Sequence, residues 1–193
     1  MKQTVKFASF VDQLLVNLAH LQKQLNHLQP DLGTYSFQCF TTLNDVDKTP
    51  QNFIAVLKQH SNLLGCETNA VLTWWEAVEY LLLEENKDVI TVVKTLVKHT
   101  EKLIQTKAIT LGHKRVWDLL YYFCKSFLQL VNRTKRQYKQ LDGVLVELYE
   151  RLCQTRAQFG KAQFLGKRSV GQTTPALCLT YLFLQSFIYA CQS

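Results

Sequence analysis

Residues able to do chemistry are spread thinly through this sequence, and their spacing fits no catalytic or metal-binding pattern. The histidines are His20, His27, His60, His99 and His113, and the cysteines are Cys39, Cys66, Cys124, Cys153, Cys178 and Cys191. No two cysteines are closer than 13 residues, so there is no C-x-x-C pair to hold zinc or to cycle between thiol and disulfide. His20 and His27 lie seven apart beside a leucine stripe. Helical metal pairs sit three or four apart, so these two read as polar flanking residues. The stretch GKAQFLGKRS at 160–169 resembles a phosphate loop only in composition. Such a loop needs four residues between its glycines, then Lys and a hydroxyl. Here five residues separate Gly160 from Gly166, and Arg168 stands where the hydroxyl belongs. Glu147 and Glu150, with Arg151 four beyond Glu147, fit surface ion pairs. No G-x-S-x-G nucleophile turn occurs. The expectation is a non-enzymatic protein with no catalytic residues, no cofactor and no metal.

One cluster suits binding better than turnover. Arg133, Lys135, Arg136 and Lys139 enclose Tyr138, and Lys114 and Arg115 lie nearby in the chain. Cations with an interleaved ring suit RNA or single-stranded DNA, where charge holds the phosphates and the ring stacks on a base. The charge distribution agrees. Residues 1–100 hold 8 Lys and Arg against 10 Asp and Glu, whereas residues 101–168 hold 14 against 5. Charge alone carries no specificity, so a solvated basic face competes with a nucleic-acid contact.

The elements that must position these residues are helical. With 7 Gly and 3 Pro in 193 residues, the chain lacks the turn residues that a sheet protein needs. Phe7, Val11, Leu14, Leu18, Leu21, Leu25 and Leu28 alternate in steps of four and three, a coiled-coil-like heptad seam. Pro30 and Gly33 are expected to stop this helix. Residues 34–48 show weak alternation at Tyr35, Phe37 and Cys39 and, with no second strand, read as a packed loop. Thr49 and Pro50 mark a helix start. Its apolar face holds Phe53, Ile54, Leu57 and Leu64, and Gly65 is expected to end it. Helices are predicted at about 68–85 and 88–106. Val116, Leu120, Phe123, Phe127 and Leu130 define another, greasy over more than half its circumference, which belongs at a centre or under a partner. The polar stretch 132–143 is either the middle of one long helix or a break between two.

Residues 158–175, containing Gly160, Gly166 and Gly171, read as a linker between a helical bundle over 1–157 and an apolar end over 176–193. That end carries no charged side chain. It is too short for a comfortable membrane span, which needs about 20 apolar residues. It would therefore be a buried terminal helix, a partner-covered end or a tail anchor through 176–191. Asp12 and Gln13 interrupt the first apolar run, which predicts no secretory leader, an intracellular site in nucleus or cytoplasm, and free thiols.

These readings combine into an all-α antiparallel bundle of five or six helices with an apolar C-terminal segment. The expected function is a protein-interaction or scaffold subunit. Its first helix, through Phe7, Val11, Leu14, Leu18, Leu21, Leu25 and Leu28, and the later aromatic helix, through Phe123 and Phe127, would contact a protein partner. The alternatives are a nucleic-acid-associated subunit using 133–139 and a tail-anchored membrane adaptor.

Overall fold

The heptad seam of the first segment folds into α1 (Phe7–Leu28). Phe7, Val11, Leu14, Leu18 and Leu25 on that seam are buried, and Leu21 and Leu28 are half-buried. The computed structural model describes residues 6–83, 89–130 and 136–192, and their side chains except at 81–83 and 136–139. Among the described residues the secondary structure is entirely helical, in eight α-helices with short 3₁₀ turns between them. After α1 come α2 (Leu32–Thr41), α3 (Pro50–Gln59), α4 (Thr68–Leu83), α5 (Val89–Thr106), α6 (Val116–Leu130), α7 (Arg136–Gln154) and α8 (Pro175–Gln192). The all-α class is as the sequence predicts, with more helices than the five or six expected. α6 and α7 pack side by side, so 116–154 is not one straight helix.

The clearest correction is α2. Its inward residues are Leu32, Gly33, Ser36, Cys39 and Phe40, a helical spacing in which two of the positions carry small side chains. Gly33 does not stop α1; it lets α2 cross it. A Cβ on Gly33 would lie 2.1 Å from the Gln22 carbonyl oxygen, closer than any side chain can sit. α1 also completes the start of α2. The Asn26 side-chain oxygen accepts from the Gly33 amide at 2.7 Å and the Thr34 amide at 3.2 Å, satisfying two N–H groups that have no partner within α2. The α3 start is as read from the sequence. The Asn52 amide donates to the Thr49 hydroxyl at 3.2 Å, with Pro50 in the first turn. α3 ends at Gln59, before Gly65, and 3₁₀ turns at Ser61–Leu63 and Gly65–Glu67 complete the passage to α4.

Phe53 stands at the centre of an aromatic core. Its ring centroid lies 6.0 Å from Phe7, 5.1 Å from Phe10, 5.5 Å from Phe40, 4.8 Å from Trp75 and 5.5 Å from Phe183. One ring therefore joins α1, α2, α3, α4 and α8, mostly in edge-to-face contacts that satisfy the ring quadrupoles. Phe187 continues the cluster towards Trp74, Trp75 and Phe127.

The uncharged C-terminal segment is part of this core. α8 packs against α1, α6 and α7, and Leu177, Leu179, Leu182, Leu184, Phe187 and Ala190 are fully buried. Its hydroxyls are satisfied locally. Thr180 donates to the Ala176 carbonyl at 2.7 Å, and Ser186 donates to the Leu182 carbonyl while accepting from Asn17 on α1 at 3.1 Å. Of the three occupants expected for this segment, the structure shows the buried terminal helix. No helix among the described residues is long and apolar enough to cross a membrane.

Burial also relocates the expected partner contacts. The α1 seam faces α2 and α8 of the same chain, and Phe123 and Phe127 are inside α6's own packing. Apart from the half-buried Leu21 and Leu28, these side chains are not open to a partner in this fold. Phe53→Ala is expected to lower unfolding stability by about 3–5 kcal/mol in urea titrations. Tyr80→Ala, at an exposed ring, should stay within about 0.5 kcal/mol of the parent. Equal losses would show that Phe53 is not the hub.

Candidate functional site

The feature that organises the far end of the molecule is Lys114. It sits in a left-handed backbone conformation, φ 62°, at the end of the 107–115 loop. It is only 4% exposed. Its Nζ donates to the carbonyls of Cys153 at 2.7 Å, Thr155 at 3.2 Å and Ser169 at 2.6 Å. A neutral amine has two N–H donors, so three acceptors require the ammonium. The first carbonyl belongs to the last turn of α7, the negative end of that helix, where a cation is favoured. Burial pushes the Lys114 pKa down from the usual lysine value, while the nearby Cys153 thiol pulls it the other way.

Arg115 and two carboxylates consolidate the same corner. The Arg115 guanidinium lies 3.7 Å from the centroid of the Phe159 ring, a cation–π contact. Its Nε is 3.6 Å from Glu67 Oε1. Asp118, wholly buried, accepts from the Gly112 amide and, at 2.8 Å, from the Arg115 amide, bracing the start of α6. Burial pushes the Glu67 carboxyl above its ordinary value of 4.5, and the Arg115 charge and the Val116 amide offset this only in part.

This clamp holds a segment that reads as a linker from sequence. Residues 155–174 are pinned at both feet. The Ala157 amide donates to Ser169 Oγ at 2.9 Å, which itself donates to the Gly166 carbonyl at 2.7 Å. The Gln158 amide donates to the His113 carbonyl and the Gly171 amide to the Cys153 carbonyl. The Tyr149 hydroxyl donates to Thr173 Oγ1 at 2.8 Å. Between the feet, Lys161–Ser169 forms 3₁₀ turns, broken at Gly166 by φ 55°, a conformation that favours glycine. The outcome is a projecting knob. Phe164 is 85% exposed, Leu165 51% and Val170 42%, and Arg156, Lys161, Lys167 and Arg168 around them are exposed.

Two members of the sequence-predicted basic cluster are committed within the fold. Lys114 and Arg115 turn inward, because the ammonium is committed to three carbonyls and the guanidinium to Glu67 and Phe159. Arg133, Lys135, Arg136, Tyr138 and Lys139 lie outside the described side chains. Sequence reading missed Phe164, Leu165 and Val170. The available signal was a set of apolar residues in a glycine-punctuated, cation-rich stretch where no helical period buries them.

All six cysteines are free thiols. Burial pushes Cys124 up to about 12, which keeps it an inert apolar filler. No group of His, Cys, Asp and Glu able to hold a metal occurs among the described residues. Comparison with protein families, with curated proteins and with solved structures finds no match.

Two measurements test this corner. Lys114→Met should leave buried carbonyls unpaired, cost about 3 kcal/mol, and speed amide hydrogen exchange over 155–171. Unchanged exchange there would remove the clamp. Glu67 binds its proton more tightly folded than unfolded, so its titration erodes stability as pH rises through the folded pKa. Glu67→Gln lacks that erosion. Its stability relative to the parent should improve as pH rises from below 4.5 to neutral, and a gap that is flat or widens the other way would contradict the shift.

Proposed function

We propose that this chain is a non-enzymatic interaction or scaffold subunit that docks through the 161–170 knob. The observation carrying this reading is the isolation of Phe164. Of the 11 phenylalanines, eight are buried and Phe37 and Phe159 are half-buried, while Phe164 is 85% exposed. Leaving such a ring in water forfeits roughly 1.5–3 kcal/mol. A single exposed apolar residue is ordinary on a protein surface. Three of them on one pinned loop, Phe164, Leu165 and Val170, form a patch of the kind that marks contact surfaces.

The knob replaces the two helices favoured from sequence. α1 and α6 supply the apolar surface that the core itself consumes, so their periodicity explains folding. The knob is apolar surface that folding leaves over. Its feet are held by hydrogen bonds to the rest of the fold and its tip by its own 3₁₀ turns, which suits a docking element: the partner need not order the loop on binding.

A benzophenone amino acid placed at position 164 tests the reading in cells. Adducts should form at 164 in excess over the same probe at Val16 or Tyr80, both exposed apolar positions distant in sequence. Equal or absent labelling at 164 would end it.

A further inference from the structure

The knob has a chemical signature that narrows its partner. Every charged residue after Glu150 is Lys or Arg: Arg151, Arg156, Lys161, Lys167 and Arg168. The last four are exposed and flank Phe164 and Leu165 along the chain. Beside the ring lies an open recess of about 550 Å³ lined by Arg156, Ala157, Gln158, Gln163 and Phe164. A guanidinium and two side-chain amides thus sit at the base of an apolar tip.

We infer that the 161–170 knob seats this protein on an anionic lipid bilayer, with Phe164 and Leu165 entering the headgroup boundary and the surrounding cations meeting acidic headgroups. The inference rests on the docking reading and names its partner. Three observations favour a lipid surface over a protein or a nucleic acid. Phe164, Leu165 and Val170 are exposed, and the recess beside Phe164 is walled mainly by polar side chains, so the apolar residues have surface to insert but no apolar pocket to enclose a partner side chain. Leu165 and Val170 are aliphatic; they add to burial in acyl chains and nothing to base stacking. Lysine is half of the cationic set. It is depleted at protein interfaces, but its long stem lies along apolar surface while its head stays in the phosphate layer. The recess at Arg156 would then receive a headgroup phosphate as the ring inserts. Rigidity matters here as well: the Lys114 clamp keeps the tip outward, so insertion need not order the loop.

Vesicle flotation with the full chain tests this. The probes are neutral phosphatidylcholine vesicles and vesicles with about 30% phosphatidylserine; a surface cation contributes about fivefold in affinity for the latter. The chain should float with the anionic vesicles and not the neutral ones, and added salt should release it. Lys167→Glu with Arg168→Glu should weaken binding by at least about tenfold. Phe164→Ser with Leu165→Ser should weaken it comparably, even at low salt, because the apolar contribution is separate from charge. Phe164→Trp keeps an insertable ring and should show a blue-shifted, bromolipid-quenched emission on anionic vesicles only. Both double variants should retain the parent unfolding midpoint, since they change exposed side chains. The inference falls if no vesicle binding occurs, if neutral and anionic vesicles bind alike, or if the Phe164/Leu165 variant binds as the parent does. A position-164 adduct to protein or RNA without vesicle binding would overturn the lipid inference and leave the docking reading standing. Absence of any adduct would remove both.

Discussion

The structure depends on one requirement: a charged amine, sealed from water, must find an acceptor for each of its three protons. Lys114 meets it only if Cys153, Thr155 and Ser169 hold their carbonyls within reach at once. That fixes the end of α7, the first residues beyond it and the last turn before α8 relative to one another. Loss of any of these positions would strand a buried charge, which costs more than the bonds themselves contribute. The clamp is therefore a positional device. It converts a stretch rich in glycine and cations into a loop with fixed feet, and it sets where α8 begins its path into the core.

The second anchor is apolar and lies at the other end of the sequence. Phe53 gathers rings from four other helices, and α8 reaches it through Phe183. The chain's C-terminal helix is thus fixed at its start by the polar corner and along its length by the aromatic cluster. Stability at the two places has different origins. The ring cluster draws on area removed from water and on packing. The Lys114 corner draws on satisfying groups that burial has already stripped of water.

What was legible in the sequence follows the same division. The α1 seam, the Thr49–Pro50 start and the α4 and α5 spans were readable because side-chain period and capping chemistry are local. α2 was not. Its inward positions include Gly33 and Ser36, which no hydrophobic pattern marks, and its first turn is completed by Asn26 from another helix. The clamp was invisible for a related reason. A sequence displays Lys114 as a charge, but its acceptors are backbone carbonyls 39 to 55 residues away, and backbone carries no sequence signature. The same blindness made 158–175 read as a linker and placed Lys114 and Arg115 on a surface.

The apolar C-terminal helix shows how an apparent surplus of hydrophobic surface is resolved. Counted along the chain, the α1 seam, the broad face of α6 and the uncharged α8 exceed what a lone compact molecule of this size is expected to hide, which is why a partner is expected from sequence. In the fold these surfaces cover one another. α8 lies against both α1 and α6, and its hydroxyls return to their own helix carbonyls or meet Asn17, so no polar face is needed. Once that mutual burial is complete, few large apolar side chains are left exposed among the described residues, and three of them, Phe164, Leu165 and Val170, share the loop whose feet the clamp holds. A surface left open by a flexible loop would be lost to collapse or to entropy on binding. Held as it is, Phe164 keeps its exposure, and whatever covers it gains the burial of the ring without ordering the chain beneath it.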